Sequence, residues 1–168
     1  MIPTRVRYTR GYMTLLTWMS PNPFDVRTVI LAKHAQHVVL IHFPLALFIV
    51  AVAFDFLAKW TKRRSLADAG YYNLLVAALA TIPTLFTGII AWQLQLGGQR
   101  LRGILLLHFL LGILSGVLIC FVWWLHFRAR RKMNEPPTYR FLIEVLAVLV
   151  VATTAHLGGF LSGVSIPS

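Results

Sequence analysis

The chain has 168 residues, 58% of them apolar, and a formal net charge of +11. Its mean hydropathy of +0.72 is too high for a soluble domain, where about half of the residues are apolar. The cations therefore point to membrane topology and anionic head groups rather than to nucleic acid, and the single cysteine, Cys120, excludes an intrachain disulfide and any multi-cysteine metal site.

The N-terminal stretch MIPTRVRYTRGYMTLLTWMSP has a short apolar part and no small-residue cleavage site, which argues against a signal peptide; Met13 is an alternative start. Within the tail, residues 1–36, Asn22 is an N-cap candidate, with Pro23 at the first helical position and Asp25 in the first turn. Val29, Ile30 and Lys33 then suggest a short amphipathic helix lying on the membrane surface. An extension of the first span toward Asn22 is the competing reading.

Four apolar runs follow, Val38–Leu57, Leu74–Leu94, Ile104–Phe127 and Phe141–Leu161. Each has about 20 residues, or about 30 Å as a helix, which matches a bilayer core. Short polar connections make neighbouring helices antiparallel. The expected fold is all-α: an integral membrane bundle of four transmembrane helices, up and down, over residues 37–164. Pro83 is expected to kink the second helix, with Thr81 or Thr84 serving the freed carbonyls.

Lys59–Arg64 follows the first span, while Arg128–Lys132 and Arg140 bracket the connection between the third and fourth. The positive-inside rule puts both connections in the cytoplasm and both termini outside. Up-and-down threading then gathers His42, His108 and His156 at one depth, each roughly 6–8 Å below the outer interface. Small residues lie one turn or two away: Ala46 beside His42, Gly112 and Ser115 beside His108, Ala152 beside His156. They leave room for a flat cofactor, or they let helices approach closely. Imidazoles from facing helices can hold a b-type haem iron from both sides. A three-histidine zinc or copper site is the rival, and hydrogen-bonded interfacial histidines are the plain alternative. His34 and His37, at the lip of the first span, read as solvated surface.

Asp55, Glu144 and His126 form a second layer at the cytoplasmic end. They read as ion pairs fixing the helix ends, with proton uptake toward the outer site as the competing account.

The run HVVLIHFPLALFIVAVAFDFL resembles the opening of the bacterial four-helix membrane proteins grouped as domain of unknown function 2231. The matching positions are His37, His42, Phe43, Pro44 and Asp55, then His108, and finally AHLGGFLSG near the C-terminus. The resemblance spans residues 35–164. Many members carry a further His-Gly beyond the Gly-Gly, where this chain has LSGVS. The resemblance implies a multi-pass protein of the bacterial cytoplasmic membrane. Such domains also occur fused to iron–sulfur or cytochrome-type modules, which implies redox work without naming a reaction.

The expected function is thus a haem b electron-transfer protein rather than an enzyme, working with a larger redox assembly. The alternatives are a non-catalytic subunit of a respiratory or photosynthetic complex, contacting haem, a chlorophyll-type pigment or lipid, and a metal or proton transporter. Expected partners are the bilayer and other membrane redox or photosynthetic subunits. Self-association is left open.

Overall fold

The computed structural model describes residues 33–95, 97–132 and 136–162, apart from the side chains of residues 33–35 and 95. Most of the tail that holds the expected surface helix lies outside the described residues. Four helices make up the rest: α1 (Lys33–Thr61), α2 (Arg64–Gln95), α3 (Gly103–Arg131) and α4 (Arg140–Leu161). All four are long and apolar enough to cross a membrane. They pack in a closed ring in chain order, with α1 on α2, α2 on α3, α3 on α4, and α4 back on α1.

Two helices are longer than their hydropathy alone suggests. α1 begins five residues ahead of Val38, and α2 begins at Arg64, ten residues ahead of Leu74. The added segment of α2, RSLADAGYYN, reads as a polar connection because of its charges and tyrosines. Tertiary contacts hold it in the helix. Asp68 pairs with Arg130 of α3, whose guanidinium also lies 4.0 Å from the Tyr71 ring centroid. A Cβ on Gly70 would sit 3.2 Å from the Ala51 carbonyl oxygen, so glycine there eases the close approach of α2 to α1.

The core is built from Phe48, Ala51 and Val52 of α1, Leu74, Ala77 and Ala78 of α2, Ile119 and Val122 of α3, and Ala147 and Val151 of α4. Four of these ten are alanines. Between helices in lipid the hydrophobic effect offers little drive, so small residues that permit close backbone approach take over.

Pro44 is buried inside α1 and lacks the N–H that would satisfy the Leu40 carbonyl. The Thr84 hydroxyl of α2 takes over that role. It donates to Leu40 O at 3.3 Å and shares its proton with Ala80 O at 2.8 Å. Thr84 therefore serves the proline of the neighbouring helix as well as its own backbone. Thr84→Val is expected to destabilise the bundle by about 1 kcal/mol. In a Pro44→Ala background, where the helix recovers its own bond, most of that loss should vanish. A double-mutant cycle on thermal midpoints in detergent checks this; equal losses in both backgrounds would contradict it.

Candidate functional site: a buried ionic cluster

Each helix presents one buried stripe. On α1 it runs Phe48, Ala51, Val52, Asp55 and Ala58; on α3 Ser115, Ile119, Val122, His126 and Ala129; on α4 Arg140, Glu144, Ala147 and Val151. These are helical spacings of three and four residues. At one end of the bundle the stripes turn ionisable, and Asp55, His126, Arg140 and Glu144 come together. This is the end that carries the α1–α2 and α3–α4 connections.

Arg140 Nε donates to Asp55 Oδ2 at 2.7 Å. His126 Nε2 lies 3.0 Å from Glu144 Oε1 and 3.9 Å from Asp55 Oδ2. Arg140 Nε is also 3.8 Å from Glu144 Oε1, an i,i+4 pair on α4. The other arm of Arg140 reaches out of the bundle, where Nη1 donates to the Pro136 and Pro137 carbonyls at 3.0 and 3.4 Å. Glu144 is 0% exposed, and its Oε2 is buried with no hydrogen-bond partner among the described residues.

Charge counting limits what this cluster can be. Asp55 and Arg140 cancel as a pair. Ionised Glu144 beside neutral His126 would leave a net negative charge in a medium that penalises it heavily. One added proton removes that charge, either as imidazolium beside carboxylate or as carboxylic acid beside imidazole. In both neutral forms His126 Nδ1 carries a proton. In the charged form Nε2 donates to Glu144 and Nδ1 is bare.

Asp55, His126 and Glu144 also offer ligand atoms within 4.8 Å of one another. The Arg140 guanidinium already places a positive charge against both carboxylates. The group therefore suits a proton better than a metal ion.

The histidines toward the other end of the bundle are arranged differently. His108 is half-buried, with Nδ1 3.0 Å from the Thr154 carbonyl of α4 and its ring against Gly158, where a Cβ would lie 3.1 Å away. Ser115 Oγ lies 3.0 Å from Thr154 Oγ1, and Gly112 faces the same threonine. The structure thus brings His108, Gly112 and Ser115 together around Thr154. His42 and Ala46 are exposed on α1, and His42 Nδ1 turns back to Val38 O of its own helix at 2.6 Å. His156 and Ala152 are exposed on α4, with the His156 ring edge-on to Phe160 at 4.9 Å.

His37 is half-buried rather than solvated. Its Nδ1 lies 3.2 Å from Thr87 Oγ1, and a Cβ on Gly88 would sit 3.0 Å from its ring. By contact, His37 on Gly88 in the first hairpin is the counterpart of His108 on Gly158 in the second. The shared His-Phe dipeptide pairs His42 with His108 instead. The signal in the sequence was a histidine and a glycine at matching depth on antiparallel neighbours.

Four apolar spans closed around a buried ionic cluster define an integral membrane helical bundle, with its outward faces in contact with lipid. More particularly, the chain belongs to the family described as predicted membrane protein, domain of unknown function 2231, which it matches over residues 33–164. No curated protein and no solved structure matches it at a significant level.

Proposed function

We propose that this membrane protein takes up and releases a proton at the Asp55–His126–Glu144–Arg140 cluster, as a proton-handling module of a larger membrane assembly. Glu144 carries the reading. It is fully buried, shares one oxygen with His126 and leaves the other without a partner among the described residues. Intramembrane ionisable groups are costly and are kept where protons or ions are handled. The cluster lies at the basic end of the bundle, where Arg140 also bonds the Pro136 and Pro137 carbonyls of the α3–α4 connection, and that end is its shorter way to solvent. By the positive-inside rule that end faces the cytoplasm.

The test is proton uptake by the purified protein in weakly buffered detergent, followed with a pH dye. The wild type should take up about one proton more per chain than Glu144→Gln. Equal uptake by the two would overturn the proposal.

A second reading places a b-type haem at the other end of the bundle, and one observation favours it. The bond from His108 Nδ1 to the Thr154 carbonyl orients the ring and would leave Nε2 to ligate the iron. Bound there, haem would supply one-electron transfer. Of the three histidines, His108 alone would hold such a group from within the bundle. His42 and His156 face outward, and would meet such a group, or a pigment, only at a contact with another redox or photosynthetic subunit. Protein expressed with adequate haem should then show a haem absorption band that His108→Ala abolishes. A colourless wild type, or a band that survives His108→Ala, would refute this reading.

A further inference from the structure

The sequence places two basic runs far apart, Lys62–Arg64 and Arg128–Lys132, and the fold sets them side by side. The joint is Arg130. It pairs with Asp68, donates to Ala67 O at 3.5 Å and lies over the Tyr71 ring. This fixes the start of α2 against the end of α3. Asp68 is the sole exposed acidic group at that end among the described residues, and Arg130 already occupies it. Lys62, Arg63, Arg64, Arg128, Arg131 and Lys132 are all exposed around this joint. None of them is in an ion pair among the described residues.

The helix dipole favours Arg128 and Arg131 in the last turn of α3, but local structure does not account for the cations of the α1–α2 turn. Lys62 has φ 57°, a left-handed conformation at a helix-terminating turn where glycine is favoured. Arg63 and Arg64 stand at the start of α2, whose first turn has no acidic residue, although the helix dipole disfavours positive charge there. Aromatic side chains flank the patch at the end of the spans. Trp60 is 83% exposed, and Trp124 is 42% exposed with the Arg128 guanidinium 5.3 Å from its ring centroid. A dense, uncompensated positive surface beside exposed indoles at the edge of a membrane span is complementary to phosphate held at a lipid interface.

We propose that the joint between the α1–α2 turn and the end of α3 is a binding site for an anionic phospholipid head group. This goes beyond the proton-handling reading and does not depend on it.

The test uses purified protein reconstituted in zwitterionic bilayers and titrated with a brominated anionic phospholipid that quenches tryptophan fluorescence. The test variant is Lys62→Gly/Arg63→Gln/Arg131→Gln, in which glycine suits the turn at residue 62. The control is Arg100→Gln/Arg102→Gln, which removes exposed cations at the opposite end. The wild type and the control should be quenched at lower lipid fraction than the test variant, with roughly a fivefold loss of relative affinity per cation removed from the patch. Equal quenching of wild type and test variant would overturn the proposal, as would equal losses in variant and control. Inorganic phosphate supplied in the buffer distinguishes the source. Quenching that persists in its presence supports a lipid, and full displacement at millimolar phosphate would refute lipid as the occupant. If the test variant fails to fold, Lys62→Gly alone replaces it, with the same comparison.

Discussion

Arg140→Met should destabilise the bundle by about 3–5 kcal/mol, the cost of stripping one partner from a buried ionic group. Asp55 would lose its 2.7 Å donor, and the connection before α4 would lose the bonds to Pro136 and Pro137. The two carboxylates would then face each other with only His126 between them. Two further results separate the electrostatic cause from lost packing. Arg140→Met/Asp55→Leu should recover most of the stability, because it removes one positive and one negative charge and leaves Glu144 and His126 as a pair that one proton neutralises. The deficit of the single variant should also shrink at low pH, where protonated Asp55 no longer needs the guanidinium. Thermal denaturation in micelles across pH reads both. A single variant as stable as the wild type at neutral pH, or a double variant no better than the single, would show that the pair does not hold α1 to α4.

Phe48→Ala should cost about 2–3 kcal/mol, through a different mechanism. Phe48 is 0% exposed and sits among core alanines that cannot move in to fill the space. In a soluble protein the transfer of the ring from water would add to the loss. Between helices in lipid that gain is largely absent, so the cost is mainly cavity and lost dispersion contacts, at about 24 cal/mol per Å3 of void. Ile89→Ala provides the comparison. Ile89 is exposed on α2, toward lipid, and its truncation should change stability by less than about 0.5 kcal/mol. Equal losses at the two positions would mean that Phe48 does not fill a packed core.

The four spans and their order were legible because an apolar stretch of bilayer length is hard to mistake. The early start of α2 was not. Arg64–Asn73 looks like a connection until Asp68 meets Arg130, a contact sixty-two residues away in the chain. The common end of Asp55, His126 and Glu144 was likewise readable, since helix rise and alternation bring them to the same end of the bundle. That is how Asp55, His126 and Glu144 came to share one layer in the sequence. What depth does not give is the direction a side chain faces around its helix. In a soluble bundle a polar stripe would mark the outside. Here lipid-facing and core-facing sides are equally apolar, so His42 and His156 carry no mark of their outward placement, and His37 none of its contact with Gly88. Arg140 was hidden for another reason. It looked like one more basic residue flanking a span, although it stands four residues before Glu144 and continues the buried stripe of α4.

The proton on the His126–Glu144 pair is best tested on the imidazole itself. Nitrogen NMR of protein labelled at histidine, with His126→Asn to assign the signal, should show Nδ1 of His126 passing from protonated to bare in one step as pH rises. In Glu144→Gln that step should move or disappear. If Nδ1 stays in one state across the whole range in which the protein is folded, or titrates identically in Glu144→Gln, the cluster is a fixed set of ion pairs and carries no exchangeable proton.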